Sequence, residues 1–145
     1  MHIGRLQGSR VLLDVKGRKE PTAEDYWEAN WLVVGMTVEM GHWRGRFDVD
    51  LRAEEFERFL LELRHLYEQL DSVAEFATME RWLSLRLEGD GLGHIKVAGE
   101  ARDRPGSEDR LLFTTGLDQT DLAELIHELQ AVVAEFPVRG ESSAE

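Results

Sequence analysis

The sequence predicts an α+β domain: a mostly antiparallel sheet of about five to seven strands with two amphipathic helices packed on one face. Two kinds of periodicity carry this reading. Several short runs alternate apolar with polar residues, and two longer stretches repeat apolar residues every three or four positions. The order along the chain, strands, helix, strands, helix, has links too short for parallel crossovers, which need roughly a dozen residues or more.

The first short strand is read at Val11, Leu13 and Val15, alternating with Leu12 and Asp14. Residues Gly17 to Glu24 are charged, contain Pro21 and read as a loop. Trp31 to Met40 is a longer strand with Leu32, Val34, Met36, Val38 and Met40 on one face and Trp31, Val33, Gly35, Thr37 and Glu39 on the other. Gly41-His42 turns the chain. In the return strand, Trp43 to Leu51, the pattern puts Trp43, Gly45, Phe47, Val49 and Leu51 inward and Arg44, Arg46, Asp48 and Asp50 outward. A helix follows from about Ala53 to Leu70, striped by Phe56, Phe59, Leu60, Leu63, Leu66, Tyr67 and Leu70. Leu83, Leu85 and Leu87 begin a second hairpin, which returns through Ile95, Val97, Gly99 and Ala101 after the link Gly89-Asp90-Gly91-Leu92-Gly93. Asp103-Arg104-Pro105-Gly106 is another turn, and Leu111 to Leu117 is the last strand. The second helix spans about Gln119 to Phe136, with Asp118 as N-cap and Asp121 where a capping-box partner sits; Pro137 stops it. No internal repeat is visible. Residues 1–138 read as one domain and residues 139–145 as a flexible polar tail.

At 145 residues such a chain can bury roughly 68–70% of its unfolded surface, enough for a core without covalent staples. It has no cysteine, which removes disulfides, thiolate metal sites and a cysteine nucleophile, and fits a reducing compartment. The N-terminus has no apolar signal segment, and no apolar run reaches the roughly 18 residues of a membrane span, so the expected location is cytoplasmic, with no membrane partner. The 29 acidic residues outnumber the 17 Lys and Arg, for a formal charge of −12. That field repels phosphate backbones, which argues against direct nucleic-acid binding, and attracts a basic protein partner.

Catalytic signatures are absent. His2, His42, His65, His94 and His127 are scattered and show no metal-binding spacing, so no metal or cofactor is expected. The Gly89–Gly93 link lacks the Lys-Ser/Thr of a phosphate loop and leads into a strand. Asp48 and Asp50 share a strand face that Arg44 and Arg46 continue, so charge pairing on the sheet accounts for them more simply than acid–base chemistry. The four tryptophans say more. Trp31 and Trp82 fall on the face opposite the helix-facing leucines; were their strands adjacent, they would lie together, bordered by Arg46, Arg86 and Arg102. Trp and Arg are enriched in binding hot spots, and the competing reading is that Trp27 and Trp31 fill a small second core under the Gly17–Glu24 loop. The candidate partner-binding set is Trp31, Trp82 and Arg86 with the acids Asp48, Asp50 and Glu88.

Several blocks resemble the WapI-type immunity protein family. These are Asp25-Tyr26-Trp27-Glu28-Ala29-Asn30-Trp31-Leu32, Leu51-Arg52-Ala53-Glu54-Glu55-Phe56 with Arg58-Phe59, Ala74-Glu75-Phe76 with Leu83-Ser84-Leu85-Arg86-Leu87, Gly89-Asp90-Gly91-Leu92-Gly93-His94-Ile95, Leu117-Asp118-Gln119-Thr120-Asp121-Leu122, and Ala134-Glu135-Phe136-Pro137-Val138. The resemblance covers roughly residues 25 to 138. It implies a bacterial antitoxin without enzymatic activity, which blocks the C-terminal domain of a polymorphic toxin, with a nuclease as the toxin type. Three rivals stand beside it. A small-ligand binding or sensor module would show an apolar cavity lined by Tyr67, Trp43 or Phe113. An enzyme would bring two or more carboxylates such as Asp48, Asp50 and Asp90 together in a cleft, with perturbed pKa values. A homodimer would pair an exposed face or edge with a second copy.

Overall fold

The computed structural model describes residues 1–5 and 8–142. Strands β1 (His2–Gly4), β2 (Arg10–Arg18), β3 (Trp31–Met40) and β4 (Trp43–Arg52) form one antiparallel sheet in that order. A second antiparallel sheet holds β5 (Val73–Ala77), β6 (Leu83–Gly89), β7 (His94–Ala101) and β8 (Leu111–Asp118), also in chain order. A single helical turn, α1 (Tyr26–Ala29), precedes β3, and the long helices α2 (Ala53–Glu68) and α3 (Gln119–Glu135) follow the two sheets.

The α+β class and the antiparallel pairing are as expected. The single sheet of five to seven strands is not: eight strands divide into two sheets of four, with three helices. β1 and β5 are three and five residues long, too short to impose a period, and α1 has four residues. Gly17 and Arg18, expected in a loop, continue β2 past an irregularity in its pairing with β3. The two halves, β1–β4 with α2 and β5–β8 with α3, repeat one topology, although no repeat shows in the sequence.

The helices join the halves. α2 touches both β4 and β5, α3 touches both β1 and β8, and the helices pack on each other. Their buried residues, Phe56, Phe59, Leu60, Leu63 and Leu66 from α2 and Leu122, Leu125 and Leu129 from α3, belong to one core with the inward faces of both sheets. Phe76 on β5 stacks obliquely on Phe56 and Phe59, with centroids 5.7 and 4.9 Å away, and so ties α2 to the second sheet. Gly89 marks the closest approach. A Cβ there would come within 2.0 Å of the Leu70 carbonyl oxygen, so no larger residue lets β6 end so near the exit of α2.

Each long helix starts on the residue after a strand ends, and an acid at its third position holds the N-cap amide. Glu55 Oε1 accepts from the Arg52 N–H at 2.7 Å. Asp121 accepts from Asp118 N at 2.9 Å while Asp118 accepts from Asp121 N at 2.8 Å, the reciprocal box expected there. Downstream of α3 the chain is pinned. Buried Asn30 donates to the Tyr26 and Arg139 carbonyls and accepts from Arg139 N, and Arg139 Nη1 donates to Pro21 O at 2.8 Å. Arg139, expected to open a flexible tail, is thus hydrogen-bonded to the first sheet's connections; residues 143–145 of that expected tail lie outside the described residues.

Candidate binding surface

The block from Asp25 to Leu32 is built around an arginine. The Asp25 carboxylate caps α1 by accepting from Glu28 N at 2.9 Å. The short helix sets Tyr26 and Trp27 next to Trp31, which begins β3 and faces Arg52 across the β3–β4 pair. Arg52 is fully buried. Its guanidinium carbon lies 4.4 Å from the Trp27 ring centroid, 4.8 Å from Trp31 and 5.4 Å from Tyr26. Nη1 and Nη2 donate to the Trp27 and Tyr26 carbonyls at 2.9 and 3.0 Å, and Nε pairs with Glu54. Three rings, two carbonyls and a carboxylate together replace the water this cation has lost. Trp27 and Trp31 therefore do not fill an apolar second core but wall a buried cation, with part of Trp27 left to solvent. Trp31 meets Trp27 edge-on at 5.5 Å and is half-buried, while Trp27 keeps 50% of its surface exposed. The short connection Gly41-His42 already sets Trp31 opposite Arg52, so this one contact of the cage was readable from the hairpin's register.

The expected association of Trp31 with Trp82 does not occur, because β3 and β6 belong to different sheets. Trp82 precedes β6 and packs on Phe47 of β4, ring centroids 6.2 Å apart, sealing part of the seam between the sheets. Its Nε1–H is buried with no acceptor among the described residues.

Asp48 and Asp50 lie on the outer face of the first sheet, as expected, and each is engaged there. Lys16 on β2 reaches Asp48 on β4 at 2.8 Å, and Lys19, just past β2, reaches Asp50 at 2.8 Å. The Lys16 bridge crosses over β3 at Gly35, whose missing side chain leaves room for it: a Cβ would sit 3.3 Å from Lys16 Cε. Glu39 completes this ladder between Arg10 and Arg44, and hydrogen bonding from Arg10 pulls its carboxyl below the ordinary 4.5. Arg86 and Glu88 lie on the outer face of the second sheet, Arg86 pairing with Glu75 at 2.8 Å and with Glu88 at 3.9 Å. Exposed ladders of this kind contribute little to stability. They do neutralise the acids that the sequence singles out.

Trp43, expected inward, is 72% exposed. It sits beside the Gly41-His42 turn, beyond the part of the sheet that the core covers. With Val38, Arg44 and Phe47 it lines one wall of an open cleft of about 270 Å³, whose other wall is Ala101, Arg102 and the segment leading into Leu111. Pockets for small ligands are usually about 300–1,000 Å³ and enclosed. Tyr67 lies elsewhere, beside Arg64 and Ala123 on the helical side, and Phe113 is buried with its ring against Gly99. Of the residues that would line a ligand cavity, Trp43 and Tyr67 each border a separate open cleft, of about 270 and 390 Å³, and Phe113 borders neither.

Asp90 does not join Asp48 and Asp50. Its carboxylate organises the β6–β7 turn by accepting from Leu92 N and His94 N at 2.7 and 3.1 Å, and these bonds hold its carboxyl below the ordinary 3.8. Burial pushes Glu55 the other way, above its ordinary range, against the pull of the Arg52 and Met79 amides. Glu55 joins the start of α2 to the β5–β6 turn. No group of three His, Asp or Glu side chains among the described residues is placed to hold a metal ion, and no helix among them is long and apolar enough to cross a membrane.

A family model described as the immunity protein WapI-like family matches residues 2–137. No curated protein sequence matches the chain. Among solved structures, the chain is similar to MRP1/MRP2 of Trypanosoma bruciei, with a TM-score of 0.50 and 15% identity over 93% of this chain and 83% of that one. At that identity the likeness shows the fold alone. A weaker likeness, TM-score 0.45 and 10% identity over 83% of this chain and 98% of the other, is to the CdiA-CT/CdiI toxin and immunity complex from Enterobacter cloacae.

Proposed function

The chain belongs to the immunity protein WapI-like family, and we propose that it is a non-enzymatic inhibitor that binds and blocks the toxic domain of a cognate polymorphic toxin in the bacterial cytoplasm. The single observation that carries this reading is the family match, which spans both halves of the fold, from β1 to the end of α3. The charge supports a basic partner. A net −12 at neutral pH draws in a positively charged domain and speeds its association at low salt. A nuclease is the toxin class that fits, since an enzyme gripping phosphates must be basic where it grips them. The same charge opposes direct contact with nucleic acid or anionic membranes.

The test is co-expression with the C-terminal domain of the cognate toxin. Protection of growth, with the toxin's nuclease activity abolished in extracts, is the expected result. Undiminished toxicity in the presence of the folded protein would contradict the reading.

A further inference from the structure

We infer that the exposed face of Trp27, with the acidic side chains around it, is the surface on which the basic partner docks. The inference rests on the immunity reading and adds a location to it. Trp27 differs from the other tryptophans in being both accessible and held. Half of it faces solvent, while Trp31 lies edge-on at 5.5 Å and the Arg52 guanidinium stacks 4.4 Å from its centroid. Arg52 also bonds the Trp27 carbonyl, so ring and backbone are fixed by one buried group. An aromatic already fixed before binding loses little side-chain entropy on contact, which is the property of a hot-spot anchor. Trp43 is more exposed but sits at a hairpin tip with no ring partner among the described residues. Trp31 and Trp82 are half-covered by the contacts described above.

Charge selects the occupant. Residues 20–28 hold Glu20, Glu24, Asp25 and Glu28, all exposed, and no basic residue. None of the four is in an ion pair among the described residues, whereas Asp48, Asp50, Glu75 and Glu88 are each matched within their own sheet. Of the neighbouring cations, Lys19 is neutralised by Asp50, while Arg18 and Arg139 donate to the Ala29, Pro137 and Pro21 carbonyls, which hold them in place and leave their two positive charges against the four acids. The Trp43 cleft, by contrast, is nearly balanced, with Arg44, Arg102 and Arg110 against Asp103 and Asp109. The segment that carries the preorganised tryptophan thus keeps a local excess of negative charge, and a basic protein surface is its complement.

The test uses the full chain and, as probe, a catalytically inactivated form of the cognate toxin's C-terminal domain, titrated at low and moderate salt. Trp27→Ala is expected to weaken binding roughly 30-fold or more, the loss typical of a central anchor. The double charge reversal Glu24→Lys with Glu28→Lys leaves the Arg52 cage untouched, and is expected to slow association about tenfold at low salt and flatten the salt dependence. Trp43→Ala and Asp48→Asn are expected to stay within about threefold of the parent, as contacts away from a hot spot do. Thermal midpoints of all variants are measured alongside, and if Trp27→Ala fails to fold, the charge-reversed protein decides. Parent-like binding by the charge-reversed protein, and by Trp27→Ala where it folds, while the unmodified chain binds, overturns the docking surface and leaves the immunity reading standing. An unmodified chain that does not bind the probe at low salt overturns both.

Discussion

At the scale of single residues, the YW-and-NW block reads differently once Arg52 is seen inside it. A fully buried arginine is stable only where its charge and donors are met, and Tyr26, Trp27, Trp31 and Glu54 meet them. Arg52→Met is expected to cost roughly 3–5 kcal/mol, because it leaves two backbone carbonyls and a partly covered carboxylate without their donor. Arg52→Lys keeps the charge but not the planar fork and should fall between the two. Urea denaturation with an unchanged m-value measures both. Trp82 gives the opposite prediction. Its buried indole N–H has no acceptor among the described residues, so Trp82→Phe keeps the contact with Phe47 and removes an unmet donor. Stability should change by no more than about 1 kcal/mol, or rise. A loss of several kcal/mol in the same denaturation experiment would show that the indole makes a bond the geometry does not reveal. The alternation pattern gave each tryptophan a face, and hence the hope that Trp31 and Trp82 would meet; it holds no information on which sheet a strand joins.

At the scale of elements, what was legible followed from period. The core faces of β3, β4, β6, β7, α2 and α3 alternate or repeat strongly, and their inward residues are for the most part the buried ones. β1, β5 and α1 span too few residues for a period to show. Trp43 continues its strand's alternation but lies at the tip, past the end of the covered region. The cap of α3 was legible because capping is local chemistry, and it supplies a pH test. The Asp121 amide, first among several hydrogen bonds, holds the Asp118 carboxyl below its ordinary 3.8. A folded value below the unfolded one means that the cap's contribution is complete above the unfolded value and is lost as pH falls through the folded one. Asp118→Asn retains a capping oxygen that does not titrate. Its thermal midpoint should therefore fall less than the parent's between about pH 5 and pH 2. Glu39, Asp90 and Glu100 titrate in the same direction in both proteins, so the difference between the two curves isolates the cap. Superimposable curves would remove Asp118 from the acid limb.

At the scale of the whole molecule, two halves of one topology share a core, and the Asn30–Arg139 clasp brings the chain downstream of α3 back to the first half. Asn30 is fully buried, with both polar atoms engaged, so Asn30→Ala should release residues 137–142 and speed tryptic cleavage at Arg139 several-fold while most of the fold persists. Unchanged cleavage would mean that Arg18 and Pro21 hold the segment without it. The division into two sheets was not legible because edge pairing is settled by tertiary packing, here by helices that each touch strands of both sheets. Asp48 and Asp50 were half legible: their faces were right, but the lysines that neutralise them come from β2 and its end, across an intervening strand. Function rests on the family to which the fold belongs and on the charge the fold displays. The most direct test of that claim is the mass of the complex formed by this chain and the C-terminal domain of its cognate toxin, measured by sedimentation at low and moderate salt. A 1:1 complex that is tight at low salt and weakens as salt rises is the predicted result; two species sedimenting independently at low salt would contradict it.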